Sequence, residues 1–194
     1  MKPALAIWTI GHSTRSLDEF LALLVQHRVQ AVADVRRFAG SRRHPQFMPF
    51  ALRAALAAQD IAYVPFPALG GRRRARLDSP NAAWRNPSFR GYADHMDSAE
   101  FAEGFQALVE LSRRLRTALM CAEAVWWRCH RALIADRLMV DGIEVVHILD
   151  AKHAVRHPYT APARIVDGKL RYVGPADDAA EDGRNGTHRS ARDA

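Results

Sequence analysis

Short apolar runs and helically spaced apolar residues alternate along the chain. The runs predict five strands, at residues 6–10, 29–35, 61–66, 115–122 and 144–149. Helical spacing predicts helices at residues 16–27, 50–59, 97–116 and 130–140. Strands that alternate with helices through short connections form right-handed crossovers. The pattern therefore predicts an α/β fold of the Rossmann-like, three-layer kind, with a mostly parallel sheet and helices on both faces.

Local signals refine these boundaries. Ser16 with Glu19, and Asp97 with Glu100, match the capping box that opens a helix. Residues 67–88 form a long irregular stretch rich in Gly, Arg, Pro and Asn, and such a stretch is usually functional or mobile. Asp167-Gly168 predicts a small C-terminal hairpin. We expect one α/β domain over residues 1–174, followed by a disordered tail over residues 175–194, which lack periodicity.

Composition narrows the class of protein. The chain has 194 residues, 48% of them hydrophobic, which suits one domain with a sizeable core. No apolar run approaches the ~18 residues that span a bilayer, and the N-terminus lacks the pattern of a signal peptide. We therefore expect a cytoplasmic protein without membrane contact. Its two cysteines are too few for a disulfide framework, so we expect thiols.

The charge is concentrated in one part of the chain. The formal net charge is +7, and residues 36–76 contain nine arginines against one acid, Asp60. Such a concentration favours phosphate-bearing partners, either nucleic acid or nucleotide. The alternative is an arginine-rich surface that only keeps the protein soluble.

Polar residues and glycines follow four of the five predicted strands. In open α/β sheets the site lies outside the carboxyl ends of the strands, so these residues are expected to meet at one edge. They are His12, Ser13, Asp34, Arg36, Gly70, Gly71, Glu123, Cys129, His130 and Arg131. Structural roles compete with this prediction. His12 and Ser13 also suit a helix cap, Asp34 suits a salt bridge with Arg36 or Arg42, and Gly70-Gly71 suits a plain turn.

The segment CAEAVWWRCHR, residues 121–131, admits several interpretations. A metal site is disfavoured because the ligands lack the close paired spacing of zinc motifs. Cys129 precedes a predicted helix between two arginines, which favours a reactive thiolate. Glu123 at a strand end is instead suited to general acid–base catalysis. Both cysteines also suit core packing, and nothing in their spacing pairs them for redox work.

Five motifs occur in an order that resembles a known family. They are TIGHSTRSLDEF, VADVRRFAGSRRHPQF, YVPFPALGGRR, FRGYADHM and CAEAVWWRCHRALIADRL. Together they are similar to the prokaryotic family called domain of unknown function 488 (DUF488), over about residues 7–149. The resemblance implies an α/β fold and a site at its recurring positions, without a particular reaction. Those positions are Gly11, His12, Ser13, Asp34, Arg36, Ser41, Arg42, Phe47, Leu69, Gly70, Gly71, Glu123, Cys129, His130 and Arg131.

A second likeness concerns the cysteine. Asp34-Val35-Arg36 after a strand, with a cysteine at a later strand end, is similar to rhodanese-like sulfurtransferases. Their relatives, the cysteine phosphatases, have a Cys-x5-Arg anion loop. Here six residues separate Cys121 from Arg128, and one of them is Glu123. This departure makes a cysteine-thiolate enzyme the alternative hypothesis.

The leading hypothesis is an enzyme that hydrolyses a phosphate-bearing substrate, a nucleic acid or a nucleotide, without a cofactor. Glu123, His12 and Asp34 would supply acid–base catalysis, with Cys129 as a further catalytic candidate. His130 would orient the loop. The phosphate would be held by Ser13, Arg36, Arg42, Gly70, Gly71 and Arg131. The non-enzymatic alternative is a module that binds nucleotide or nucleic acid without reaction.

Overall fold

The computed structural model of the protein describes residues 5–40 and 43–174. The predicted phosphate ligand Arg42 and the predicted disordered tail, residues 175–194, lie outside these residues. The strands of the described part are β1 (Ala6–Gly11), β2 (Ala31–Asp34), β3 (Ala62–Pro65), β4 (Thr117–Cys121), β5 (Glu144–Ile148), β6 (Ala154–Arg156), β7 (Arg164–Val166) and β8 (Lys169–Arg171). Its α-helices are α1 (Leu17–Gln26), α2 (Pro49–Ala57), α3 (Pro87–Met96), α4 (Ala99–Arg114) and α5 (Arg131–Val140).

The main sheet has the strand order β3-β2-β4-β1-β5-β6, and all its pairings are parallel except β5 with β6. All five residues of β4 are buried, since β4 lies between β1 and β2 at the centre. One face packs against Phe20 and Leu24 of α1 and against α2. The other face packs against α4 and α5. The predicted three-layer α/β fold is confirmed.

The chain reverses its direction across the sheet at β3. From β1 to β3 it moves toward one edge, with α1 and α2 on one face. From β3 to β5 it moves back, with α4 and α5 on the opposite face, as right-handed crossovers require. As a result, the loop after β4 leaves the sheet on the face opposite to the loops after β1 and β2. A crevice forms at such a switch point, outside the carboxyl ends of the strands.

Of the two predicted capping boxes, the structure contains one. The capping box at Ser16 and Glu19 is confirmed, with both reciprocal hydrogen bonds present. The one at Asp97 and Glu100 is wrong, because Ser98 caps α4 while Asp97 ends α3. Glu100 instead pairs with Arg73, with 3.0 Å between the charged atoms.

The sequence prediction also missed two elements. Helix α3 starts inside the stretch predicted to be irregular, where the Asn86 side chain accepts from the Ser88 amide and Pro87 occupies the first turn. Strand β6 has three exposed residues, so no alternating pattern reveals it. The predicted hairpin is confirmed as β7–β8, with Asp167 and Gly168 both at positive φ. No helix of the described part is long and apolar enough to cross a membrane.

Candidate functional site

The loops after β1 and β4 are joined backbone to backbone at the crevice. The His12 amide donates to the Cys121 carbonyl at 2.9 Å, and the Ser13 amide donates to Ala122 at 3.0 Å. Gly11 permits this approach, because a Cβ atom there would lie 1.8 Å from the Glu123 carbonyl oxygen. Ser13 has a positive φ of 47°, which continues the sharp turn away from the strand. The two loops therefore form one rigid edge of the site.

On the β2 side of this edge lies the aspartate cluster, formed by His12, Asp34, Arg36 and Tyr63. Asp34 is buried and accepts from the Arg36 amide at 3.0 Å, from Arg36 Nε at 2.8 Å and from Arg36 Nη2 at 2.6 Å. The Tyr63 hydroxyl donates to the same carboxylate at 2.7 Å. Four donors satisfy Asp34, so the carboxylate fixes the direction in which the Arg36 guanidinium points.

His12 lies beside this ion pair and stacks on Phe47, with ring centroids 4.3 Å apart. Its Nδ1–H donates to the Ser13 carbonyl at 3.0 Å, which leaves Nε2 facing Arg36 Nη1 at 3.5 Å. Burial, with the neighbouring Arg36 charge, lowers the pKa of His12 to about 4. His12 is therefore a neutral ring at physiological pH, with an acceptor nitrogen toward Arg36.

On the other side of the edge lies the cysteine cluster, formed by Cys121, Cys129, His130 and Arg131. The two Sγ atoms are 2.8 Å apart, and both cysteines are buried and free. The two cysteines are thus in contact, although their spacing in the sequence gave no sign of it. Arg131 approaches the Cys129 sulfur with its amide at 3.5 Å and its Nε at 3.4 Å, and His130 Nδ1 lies 3.5 Å away. Three polar side chains thus converge on one sulfur atom.

These contacts separate the two thiols electrostatically. Burial by itself raises the pKa of Cys129, but the Cys121 hydrogen bond and the His130 and Arg131 charges outweigh it and hold that pKa well below its usual range. Burial and the adjacent Cys129 sulfur raise the pKa of the Cys121 thiol. The geometry therefore favours a Cys129 thiolate that accepts a hydrogen bond from a Cys121 S–H group.

Arg131 gives independent support for this charge state. The side chain is only 1% exposed, and an arginine stays protonated in a protein. Its other donors contact the Glu123 carbonyl at 2.7 Å and the Thr9 hydroxyl at 3.3 Å. No carboxylate pairs with it among the described residues. A buried cation needs an anionic partner, and the neighbouring cysteine pair can carry that charge. Within the pair, the Arg131 amide and Nε both approach the Cys129 sulfur.

His130 and the two glycines close the cluster. The Nε2–H of His130 donates to the Val35 carbonyl at 3.0 Å, so Nδ1 is the nitrogen available to take the Cys129 proton. A Cβ atom at Gly71 would lie 2.7 Å from His130 Nδ1. At Gly70 it would lie 2.6 Å from the Cβ of Arg37. These glycines allow the loop after β3 to pack directly on the site.

A cavity of about 340 Å³ opens over the cysteine cluster. Four arginines and one carboxylate, Glu123, give it a positive balance of charge. Its charged, cysteine, histidine and aromatic lining residues are Arg36, Arg37, Arg72, Arg128, Glu123, Cys121, Cys129, His130, Phe38, Phe89 and Tyr92. Arg37 and Arg72 also line an adjacent groove of about 470 Å³, together with Arg73, Arg74 and Arg76. The cavity and the groove form a continuous arginine-lined surface.

The structure brings some of the predicted site residues together around this cavity. Glu123 and Cys129 both line it. The Glu123 side chain is exposed, and among the described residues its carboxylate has no hydrogen-bond partner. His12 and Asp34 do not line the cavity and connect to it through Arg36. Arg131 lies beneath Cys129, where its contacts hold the loop after β4.

A buried polar chain next to the site was missed by sequence reasoning. Asp136 accepts from His157 Nε2 at 3.0 Å, His157 Nδ1 contacts His147 Nε2 at 2.9 Å, and His147 Nδ1 contacts Thr9 at 2.7 Å. Burial and the adjacent His157 lower the pKa of His147 to about 2. The signals were a lone acid inside the apolar helix ALIADRLMV and a lone histidine inside the apolar strand EVVHI. These hydrogen bonds connect α5 and the residue after β6 to Thr9 of β1, which also contacts Arg131.

The fold and the site define a three-layer α/β protein with a basic, cysteine-containing cavity at the carboxyl edge of its sheet. No group of three or more His, Cys, Asp or Glu side chains in the described ranges is arranged to hold a metal ion. The family described as "Domain of unknown function DUF488" matches residues 16–138, more than half of the chain. The chain belongs to this family, as the five motifs predicted. Neither curated proteins nor solved structures gave a match.

Proposed function

We propose that the protein is a hydrolase of phosphate monoesters that uses Cys129 as a nucleophile, with a nucleotide or a nucleic-acid end as its substrate. The observation that carries the proposal is the position of the Cys129 sulfur, which lies within hydrogen-bond distance of the side chains of Cys121, His130 and Arg131 and lines an arginine-rich cavity. A thiolate is the reactive form of cysteine. Arginines are the side chains best suited to bind phosphate through paired hydrogen bonds.

The arginines differ in their availability to a ligand. Arg36 forms a salt bridge with Asp34, so its guanidinium group is held in a fixed position at the cavity wall. Arg72 and Arg128 line the cavity with exposed side chains that have no hydrogen-bond partner in the described ranges. These two are the arginines free to bind a phosphate group. The exposed ring of Phe38 at the same cavity suits stacking against a nucleobase.

The reaction proceeds in two displacements. In the first, the Cys129 thiolate attacks phosphorus, an S–P bond forms, the ester P–O bond breaks, and the Glu123 carboxyl group donates a proton to the leaving oxygen. In the second, Glu123 removes a proton from water, the water oxygen attacks phosphorus, and the S–P bond breaks to release phosphate and restore the thiolate. The role of Glu123 retains the acid–base function that the sequence suggested, while His12 and Asp34 act by holding Arg36.

The test measures phosphate release from nucleoside monophosphates, a 5′-phosphorylated oligonucleotide and p-nitrophenyl phosphate. Cys129→Ser should abolish release from all three. Glu123→Gln should slow the alkyl esters by about 100-fold or more, the usual effect of removing a general acid, and slow the aryl ester little. Glu103→Gln, an exposed glutamate on α4, is the matched control and should change nothing.

Trapping identifies the intermediate. Acid quenching of the enzyme with labelled substrate should leave a phosphate on Cys129, and Glu123→Gln should not prevent its formation from the aryl ester. Binding of these esters without any phosphate release would overturn the hydrolase proposal and favour a non-catalytic nucleotide-binding module.

A further inference from the structure

In the proposed hydrolysis, Cys121 only donates a hydrogen bond to the Cys129 sulfur. Its position in contact with that sulfur suits a further role. Cys121 is the last residue of β4, and Cys129 lies two residues before α5. Their Sγ atoms are 2.8 Å apart, and both residues line the cavity. A disulfide bond requires about 2.05 Å between the sulfurs. The two sulfurs therefore have to approach each other by a further distance of less than 1 Å to form this bond.

We propose that Cys121 is a resolving cysteine, and that the pair forms a reversible disulfide when hydrogen peroxide enters the cavity. This inference rests on the Cys129 thiolate of the proposed function. It assigns the site a second chemistry, in which the same nucleophile is protected from irreversible oxidation. The oxidised pair has no thiolate, so the hydrolytic reaction stops until a reductant restores both thiols.

The oxidation takes two balanced steps. First, the Cys129 thiolate attacks one peroxide oxygen, an S–O bond forms, the O–O bond breaks, and hydroxide leaves. The product is a sulfenic acid on Cys129. Second, the Cys121 sulfur attacks the sulfenic sulfur, an S–S bond forms and the S–O bond breaks. The Cys121 proton leaves with the departing oxygen as water.

The different environments of the two sulfurs support this assignment of roles. Cys129 is the sulfur with the converging donors, so it is the one that attacks peroxide. The Cys121 sulfur accepts a hydrogen bond from the Glu123 amide at 3.3 Å. This contact holds the Cys121 side chain beside Cys129. A thiol already in contact with the sulfenic sulfur resolves it without a conformational change.

Trypsin digestion makes the product easy to recognise. Cleavage after Arg116, Arg128 and Arg131 places Cys121 and Cys129 on separate peptides, residues 117–128 and 129–131. Treatment of the full chain with hydrogen peroxide, alkylation and digestion without reductant should give these two peptides joined by a disulfide. Dithiothreitol should separate them and restore both free thiols.

The variant Cys121→Ser keeps a hydrogen-bond donor but removes the resolving sulfur. We expect it to form a sulfenic acid on Cys129 that dimedone traps, and then a sulfinic acid that dithiothreitol does not reverse. Circular dichroism of the variant verifies that it is folded. Sulfinic acid on wild-type Cys129, formed as fast as in Cys121→Ser and without the joined peptides, would overturn the proposal.

One further measurement separates this inference from the function on which it rests. Iodoacetamide alkylation of reduced wild-type protein, followed across pH, reports the Cys129 thiolate directly. An alkylation rate that is slow at neutral pH and rises only near the pKa of an ordinary thiol would show that Cys129 is not a thiolate. That result would overturn both proposals. Rapid alkylation near neutral pH without disulfide formation would overturn the resolving role of Cys121 alone.

Discussion

Replacement of Cys129 by serine tests the buried thiolate through protein stability, without knowledge of the substrate. The Arg131 side chain is 1% exposed, and its Nε lies 3.4 Å from the Cys129 sulfur. A serine hydroxyl is neutral at any ordinary pH and leaves this cation buried without an anion. Removal of one partner of a buried charge pair costs about 3 kcal/mol or more in the free energy of unfolding. For a chain of this size that corresponds to a fall in Tm of about 6–12 °C.

Cys121→Ser is the matched control, because it makes the same substitution at a cysteine that is also buried. The Cys121 sulfur lies 2.8 Å from the Cys129 sulfur. It removes no charge, so we expect a loss of about 1 kcal/mol, typical of a single buried substitution. The assay is urea unfolding of both variants and the wild type, under reducing conditions and at several pH values. Equal destabilisation by the two substitutions at neutral pH would refute the thiolate.

The depressed pKa of Cys129 also predicts how the free energy of unfolding changes with pH. The folded pKa of Cys129 is depressed below 9.0, the usual value for the thiol, so the unfolded chain binds more protons between the two values. Wild-type stability relative to Cys129→Ser should therefore rise with pH up to about 9 and be lost as pH falls through the folded pKa. A difference between the two proteins that does not change with pH would contradict this assignment.

Two further predictions concern other parts of the site. The folded His12 titrates at about 4 instead of 6.5, so stability should fall by about 3 kcal/mol as pH drops between these values, and His12→Asn should reduce this loss in urea unfolding. A pH dependence identical in the variant would contradict the shifted pKa. The arginine-lined groove predicts that Arg72→Ala with Arg74→Ala lowers the slope of log affinity for single-stranded DNA against log salt by about 0.7 for each arginine. Arg113→Ala, in the last turn of α4 and outside the groove, should leave the slope unchanged. Equal slopes for all variants would exclude the groove from binding.

Most of the architecture of the protein could be predicted from its amino-acid sequence. Alternating apolar runs and helical spacing were enough for the five strands of the parallel part of the sheet, because each element repeats its signal over several residues. The Ser16 capping box and the Asp167-Gly168 turn were also readable, since their hydrogen bonds and backbone angles are local. Short elements without an alternating pattern, such as β6, left no comparable signal.

The contacts of the polar residues at the strand ends form only in the folded chain. The sequence predicted that His12, Asp34, Glu123 and Cys129 lie at one edge of the sheet, but the distances between their side chains depend on how different loops pack together. Asp34 is satisfied by Arg36 and Tyr63, while Glu123 remains free at the cavity. The two cysteines are eight residues apart in sequence and 2.8 Å apart in space, because the short 3₁₀ helix between them turns the chain back toward the end of β4. Charge states and contacts in a buried cluster depend on these distances, and no local pattern encodes them.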